Sequence, residues 1–242
     1  MSDEVDTAAI VEMCVAFPLL LLYFGVWLFM LVRHPTKVAL GINIMERQRW
    51  VDKIMFQTKG KEILGVQTCR NGTMAGSFFA SSALIAAAAV LTEVADLGEK
   101  EVDLSFRDIK AVIVGMLFFF SFLSFSICVR HLNHLSFLIC LSPEDVPIVL
   151  EDEPPLDPDS PELRSRKQIM KMFGSKDRQK AMRRIEVATS SSVTGATITF
   201  SIGLRFFYVA LPVGLWIFGT PGLIVGTIAL IATMAAFDYV WG

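Results

Sequence analysis

The sequence predicts an all-α fold, a polytopic transmembrane helical bundle of about five spans with amphipathic surface helices. Three observations predict it. Long apolar stretches run almost free of Lys, Arg, Asp and Glu, and nearly all the cations collect in two of the connecting segments. The composition, 53% hydrophobic and 19% charged with a mean hydropathy of +0.54, is too apolar for an ordinary soluble domain.

A hydrocarbon core about 30 Å thick needs about 20 apolar residues of helix to cross it. The first span is expected over 8–32, with Pro18 placed to kink it and Trp27 close to its basic end. The second covers 72–95 and is rich in Ala, Ser and Gly. The third covers 111–129, with apolar character resuming as far as 141. The fourth covers 195–218 and the fifth 222–241. The Gly219-Thr220-Pro221-Gly222 turn is short enough to make the last two an antiparallel hairpin. The acidic N-terminus suits neither a secretory signal nor an Arg-rich transit peptide, so the first span reads as retained.

Orientation follows from the cations. The segment from Arg33 to Asn71 holds eight Lys or Arg, and the segment from Arg130 to Glu186 holds ten. Five spans put both on one side, and the positive-inside rule makes that side the interior: cytosol, matrix or stroma. The N-terminus is then outside and the C-terminus inside.

The two inner segments have structure of their own. Within 33–71, the stretch 44–58 places Ile44, Val51, Ile54, Met55 and Thr58 on one face, with Trp50 suited to an interface. It is expected to lie on the membrane surface as an amphipathic helix. Residues 142–163 carry eight acids, no Lys or Arg and many Pro, and read as an extended linker. Residues 164–186 read as a basic surface segment, with a short helix broken near Gly174. Anionic lipid headgroups are its expected partner, beside the bilayer itself. A net charge of -2 argues against a nucleic-acid partner. The four cysteines, at 14, 69, 128 and 140, form no CxxC pair. Cys14 lies toward the face opposite the other three, so reduced, mostly buried thiols are expected.

Few polar residues stand out. Arg205 lies deep in the fourth span, where an ionisable group costs about 2.5–3.5 kcal/mol on insertion scales. It is either a working residue on an anion path or a tether to a carboxylate or to backbone carbonyls. Glu12, Glu93 and Asp96 lie toward the outer ends of their helices and Asp238 toward an inner end. None is clearly level with Arg205, which leaves its partner open. His131 and His134, with Asn133 between them, share a helix face, but a bare HxxH without a following carboxylate reads as interfacial packing rather than a metal or haem site. Arg70 and Asn71 close the string Gln67-Thr68-Cys69-Arg70-Asn71, expected to cap the start of the second span or to hold an anion there. Gly72 and Gly76, and Gly222 and Gly226, open helices with small residues that let backbones approach, within the chain or toward a protein partner or second copy. No phosphate loop, nucleophile elbow, HExxH or paired carboxylates occur in the sequence, so no enzyme activity, metal or cofactor is implied.

Several strings occur together: Arg49-Trp50-Val51, Val66 to Asn71 with Met74-Ala75, Asn133 to Phe137, Leu204 to Pro212, and Leu215 to Gly219. In order and content the chain resembles the "domain of unknown function 599" family of small multi-spanning membrane proteins over most of its length, departing at Cys69, where Leu is commoner. The resemblance implies a helical membrane protein and brings no activity with it. Two function classes follow: a structural or accessory subunit in a membrane complex, and a small oligomeric transporter or channel with Arg205 on its path.

Overall fold

The computed structural model describes residues 2–54, 62–97, 106–139, 178–216 and 220–239. These form α1 (Ser2–Arg33), a 3-10 turn (Pro35–Lys37), α2 (Ala39–Asp52), α3 (Glu62–Leu97), α4 (Phe106–Leu138), α5 (Arg178–Leu215) and α6 (Thr220–Tyr239), with no strand among the described residues. Five stretches are long and apolar enough to cross a membrane: Cys14–Arg33, Ile63–Thr92, Asp108–Leu138, Arg183–Leu215 and Pro221–Tyr239. They mark an integral membrane protein. The acidic linker and most of the second basic segment lie outside the described residues.

The helices pack as a chain of neighbours. α3 lies against α4, α4 against α5, and α5 against α6, while α1 joins the far edge by packing on α6. Two core clusters mark the two ends. At the basic end, Val51, Ile54, Cys69, Cys128, Leu135, Ile185 and Val193 are buried together. At the far end, Ala16, Ala87, Val114, Phe118, Val213, Trp216 and Leu223 do the same. Between them runs an aromatic seam. Phe125 stacks on Phe79 at 5.3 Å and meets Phe200 edge-on at 5.4 Å, and Phe207 meets Phe118 at 5.4 Å. Ring pairs at such spacings favour offset or edge-on contact, which holds α3, α4 and α5 in one register.

Close approach depends on small residues where the backbone leaves no room. The inward faces of Gly72 and Gly76 meet Leu132 and Val129 of α4, so the small-residue face of α3 is used within the chain. At Gly203 a Cβ would stand 2.9 Å from the Phe125 ring. The Gly203 carbonyl also accepts a 2.8 Å hydrogen bond from the buried Ser121 hydroxyl, tying α4 to α5. At the far end Lys110 sits 4.4 Å over the Trp216 ring and donates to the Trp216 carbonyl at 3.4 Å, a cation at the C-terminus of α5.

Several boundaries and placements differ from the sequence reading, for physical reasons. α3 starts at Glu62, ten residues before its apolar stretch, because helical hydrogen bonding does not need apolar side chains. Arg178 to Arg184 form the first turns of α5 rather than part of a separate surface helix. α2 is less free than a helix resting on a membrane surface. It buries Leu40, Gly41 and Val51 against protein, and Gln48 donates to Thr194 of α5 at 2.9 Å. Its start is tight: a Cβ on Gly41 would collide with the Pro35 carbonyl, so only glycine fits there.

Candidate functional site

The polar centre of the molecule forms where α1, α5 and α6 meet, toward the basic end. Arg205 Nη2 lies 2.9 Å from both carboxylate oxygens of Asp238. Nη1 turns back along α5 to the Ser201 hydroxyl and carbonyl. From α1, the Tyr23 hydroxyl donates to Asp238 Oδ2 at 2.8 Å, and the Trp27 ring covers the guanidinium with 3.9 Å between Cζ and the ring centroid. The pair is largely buried, with 13% and 12% of the two side chains exposed. Each charge is matched, hydrogen-bonded and largely buried in protein, as a charge at this depth requires.

The geometry answers the question of which carboxylate reaches Arg205. α5 and α6 are antiparallel. Gly222 faces Leu215 and Gly226 faces Pro212. Extending that register sets the Arg205 backbone opposite Thr233, with Asp238 roughly 7.5 Å further along α6. Helical side chains tilt toward the N-terminus of their own helix. In an antiparallel pair the two tilts converge, so Arg205 leans toward the basic end and Asp238 leans away from it. Backbone depth alone left the partner of Arg205 open.

Beside the ion pair, α2, α5 and α6 enclose a cavity of about 680 Å³. Its end nearest α2 is polar, lined by Asn43, Arg47, Thr197, Ser201, Arg205 and Asp238. The rest is mainly apolar, with Leu204, Tyr208, Leu211 and Leu215 on the α5 wall and Ala229, Leu230 and Phe237 on the α6 wall, where the Thr233 hydroxyl is turned to its own helix and donates to the Ala229 carbonyl. The exposure of Tyr208, Leu211, Leu215 and Phe237 shows that the groove opens sideways, toward the surrounding lipid. Arg47 Nη1 donates to the Thr197 hydroxyl at 3.3 Å.

The other sequence candidates do not join this centre. Arg70 and Asn71 are exposed on α3. They cannot cap that helix, because it begins at Glu62; the neighbouring Thr68 hydroxyl instead donates within the helix to the Leu64 carbonyl at 2.9 Å. His131 is half-buried with its ring against Gly195 of α5, while Asn133 and His134 are exposed. Among the described residues no three His, Cys, Asp or Glu side chains gather as a metal-binding group. Sequence reasoning missed Tyr23, Trp27 and Arg47 as members of the polar centre. The signal was present for Trp27, an aromatic ring near the basic end of the first span, when the fourth span held an Arg in need of partners.

The model of the family described as "Protein of unknown function, DUF599" matches residues 13–241. The chain belongs to the DUF599 family. No curated protein and no solved structure matches it. The DUF599 match takes in all five membrane-spanning helices, the Arg205–Asp238 pair and the groove.

Proposed function

We propose that this protein is a non-catalytic membrane protein that serves as an accessory or scaffold subunit in a larger membrane assembly. The observation that carries the reading is the state of Arg205. The ionisable side chain most suited to a working role deep in the spans is engaged by Asp238, Ser201 and Trp27, in an arrangement that pins α1, α5 and α6 together. The peripheral α1, whose main neighbours are α6 and the 3-10 turn, leaves Leu21, Leu22, Leu28, Phe29 and Val32 exposed, a face equally suited to lipid or to a partner's helix. The positive-inside rule places the basic end toward the cytosol, matrix or stroma. Gentle detergent extraction, native-gel sizing and mass spectrometry of co-migrating chains test the role. Stoichiometric co-migration with other chains is expected, and a lone chain or small homo-oligomer would overturn it.

The second reading is a small oligomeric transporter or channel, favoured by the position of Arg205 and Asp238 on the wall of a groove. Loss of flux in Arg205→Ala with stability retained would favour it. Loss of stability with no flux to lose would favour the tether.

A further inference from the structure

We propose that the α2/α5/α6 groove is a binding site for one anionic glycerophospholipid, with a single acyl chain along the apolar walls and the phosphate at the Arg47 end. The inference depends on neither functional reading above. The polarity of the groove divides along its length as an amphiphile divides: hydrocarbon walls formed by Leu204, Leu211 and Leu230, then a hydrogen-bonding end formed by Asn43, Arg47 and Thr197. The polar end lies against α2, at the basic end of the bundle, the end that cation clustering directs to anionic headgroups. The sideways opening gives a lipid entry without leaving the bilayer.

Charge selects the headgroup. The lining carries two guanidinium groups, Arg47 and Arg205, and one carboxylate, Asp238, leaving one positive charge in excess. Asp238 is spent on Arg205, whereas Arg47 bonds only the neutral Thr197 among the described residues. Arg205 Nε is buried with no acceptor among the described residues, and a phosphoester or acyl-ester oxygen at the polar end would supply one. The volume, about 680 Å³, is in the range of small-molecule sites and suits one chain with its polar end, leaving the second chain in the bilayer.

The test is native mass spectrometry of the purified full chain titrated with phosphatidylglycerol against an excess of phosphatidylcholine. One phosphatidylglycerol should be retained in preference. Arg47→Gln should weaken retention about tenfold or more, because a charge-assisted contact is lost, and Arg47→Lys should restore part of it. Ala229→Trp, which fills the α6 wall, should abolish retention, with Leu211→Trp on the facing wall as its duplicate should the first fail to fold. The thermal midpoint of each variant checks the fold. Equal retention of the two lipids, retention unchanged in Arg47→Gln or in a folded Trp variant, or complete displacement by inorganic phosphate would each overturn the proposal. So would protection of Ala229→Cys by a cross-linked protein neighbour.

Discussion

Both carboxylate oxygens of Asp238 lie 2.9 Å from a single guanidinium nitrogen of Arg205, although the two backbones are about five residues out of register across an antiparallel interface. Breaking such a pair from one side leaves a buried charge without a match. Arg205→Ala and Asp238→Ala are each expected to cost about 3–5 kcal/mol. The measurement is the thermal or chemical unfolding midpoint in detergent. The double substitution should cost clearly less than the two single losses added, and strict additivity would refute the pairing.

Tyr23 ties α1 to the same carboxylate. Tyr23→Phe keeps the ring and removes the hydroxyl that donates to Asp238, so it should cost about 1 kcal/mol. In an Asp238→Ala background the same substitution should cost almost nothing. Unfolding midpoints of the four proteins of the cycle decide it.

Glycines test the packing between α4 and α5. At Gly203 a Cβ would stand 2.9 Å from Phe125, so Gly203→Val is expected to destabilise by about 1–3 kcal/mol. Gly214 has nothing within 4 Å of the corresponding point. Gly214→Ala should be neutral or stabilise by up to about 1 kcal/mol, since alanine loses less backbone freedom in a helix. Equal effects at the two sites would contradict the seam.

Topology has its own test. In a cysteine-free background, Ser2→Cys and Asp157→Cys should react with a membrane-impermeant thiol reagent from opposite sides of sealed vesicles. The positive-inside rule puts Asp157 on the interior side. Reaction of both from one side would refute five spans.

The spans were legible because a bilayer reads composition, and a charge-free stretch near 20 residues has few other uses. What lay outside the apolar stretches was harder. Gln67 to Asn71 resemble a helix start because polar residues begin there, yet the backbone was already helical at Glu62. The apolar side of α2 was visible, but amphipathicity names a face without naming what it faces; here part of that face meets α5 rather than lipid. The partner of Arg205 was left open by comparing backbone depths when the side-chain tilts decide the contact. The groove was hidden for a related reason. Leu204, Tyr208, Leu211 and Leu215 recur at helical spacing and look like any lipid-facing stripe; that they line a cavity together with residues of α2 and α6 shows only in the assembled fold.

The contact between Tyr23 and Asp238 spans 215 positions of the chain, joining α1 to α6. A ribosome releases α1 before α3, α4 and α5, yet the principal membrane-spanning neighbour of α1 among the described helices is α6, which follows them in the chain. Through the intervening time α1 must be held by lipid or by the insertion machinery, and Arg205 must wait for its counter-charge in the same way. Among these helices the order of manufacture is therefore the reverse of the order of closure: α1, made before α6, cannot find its place until α6 is there.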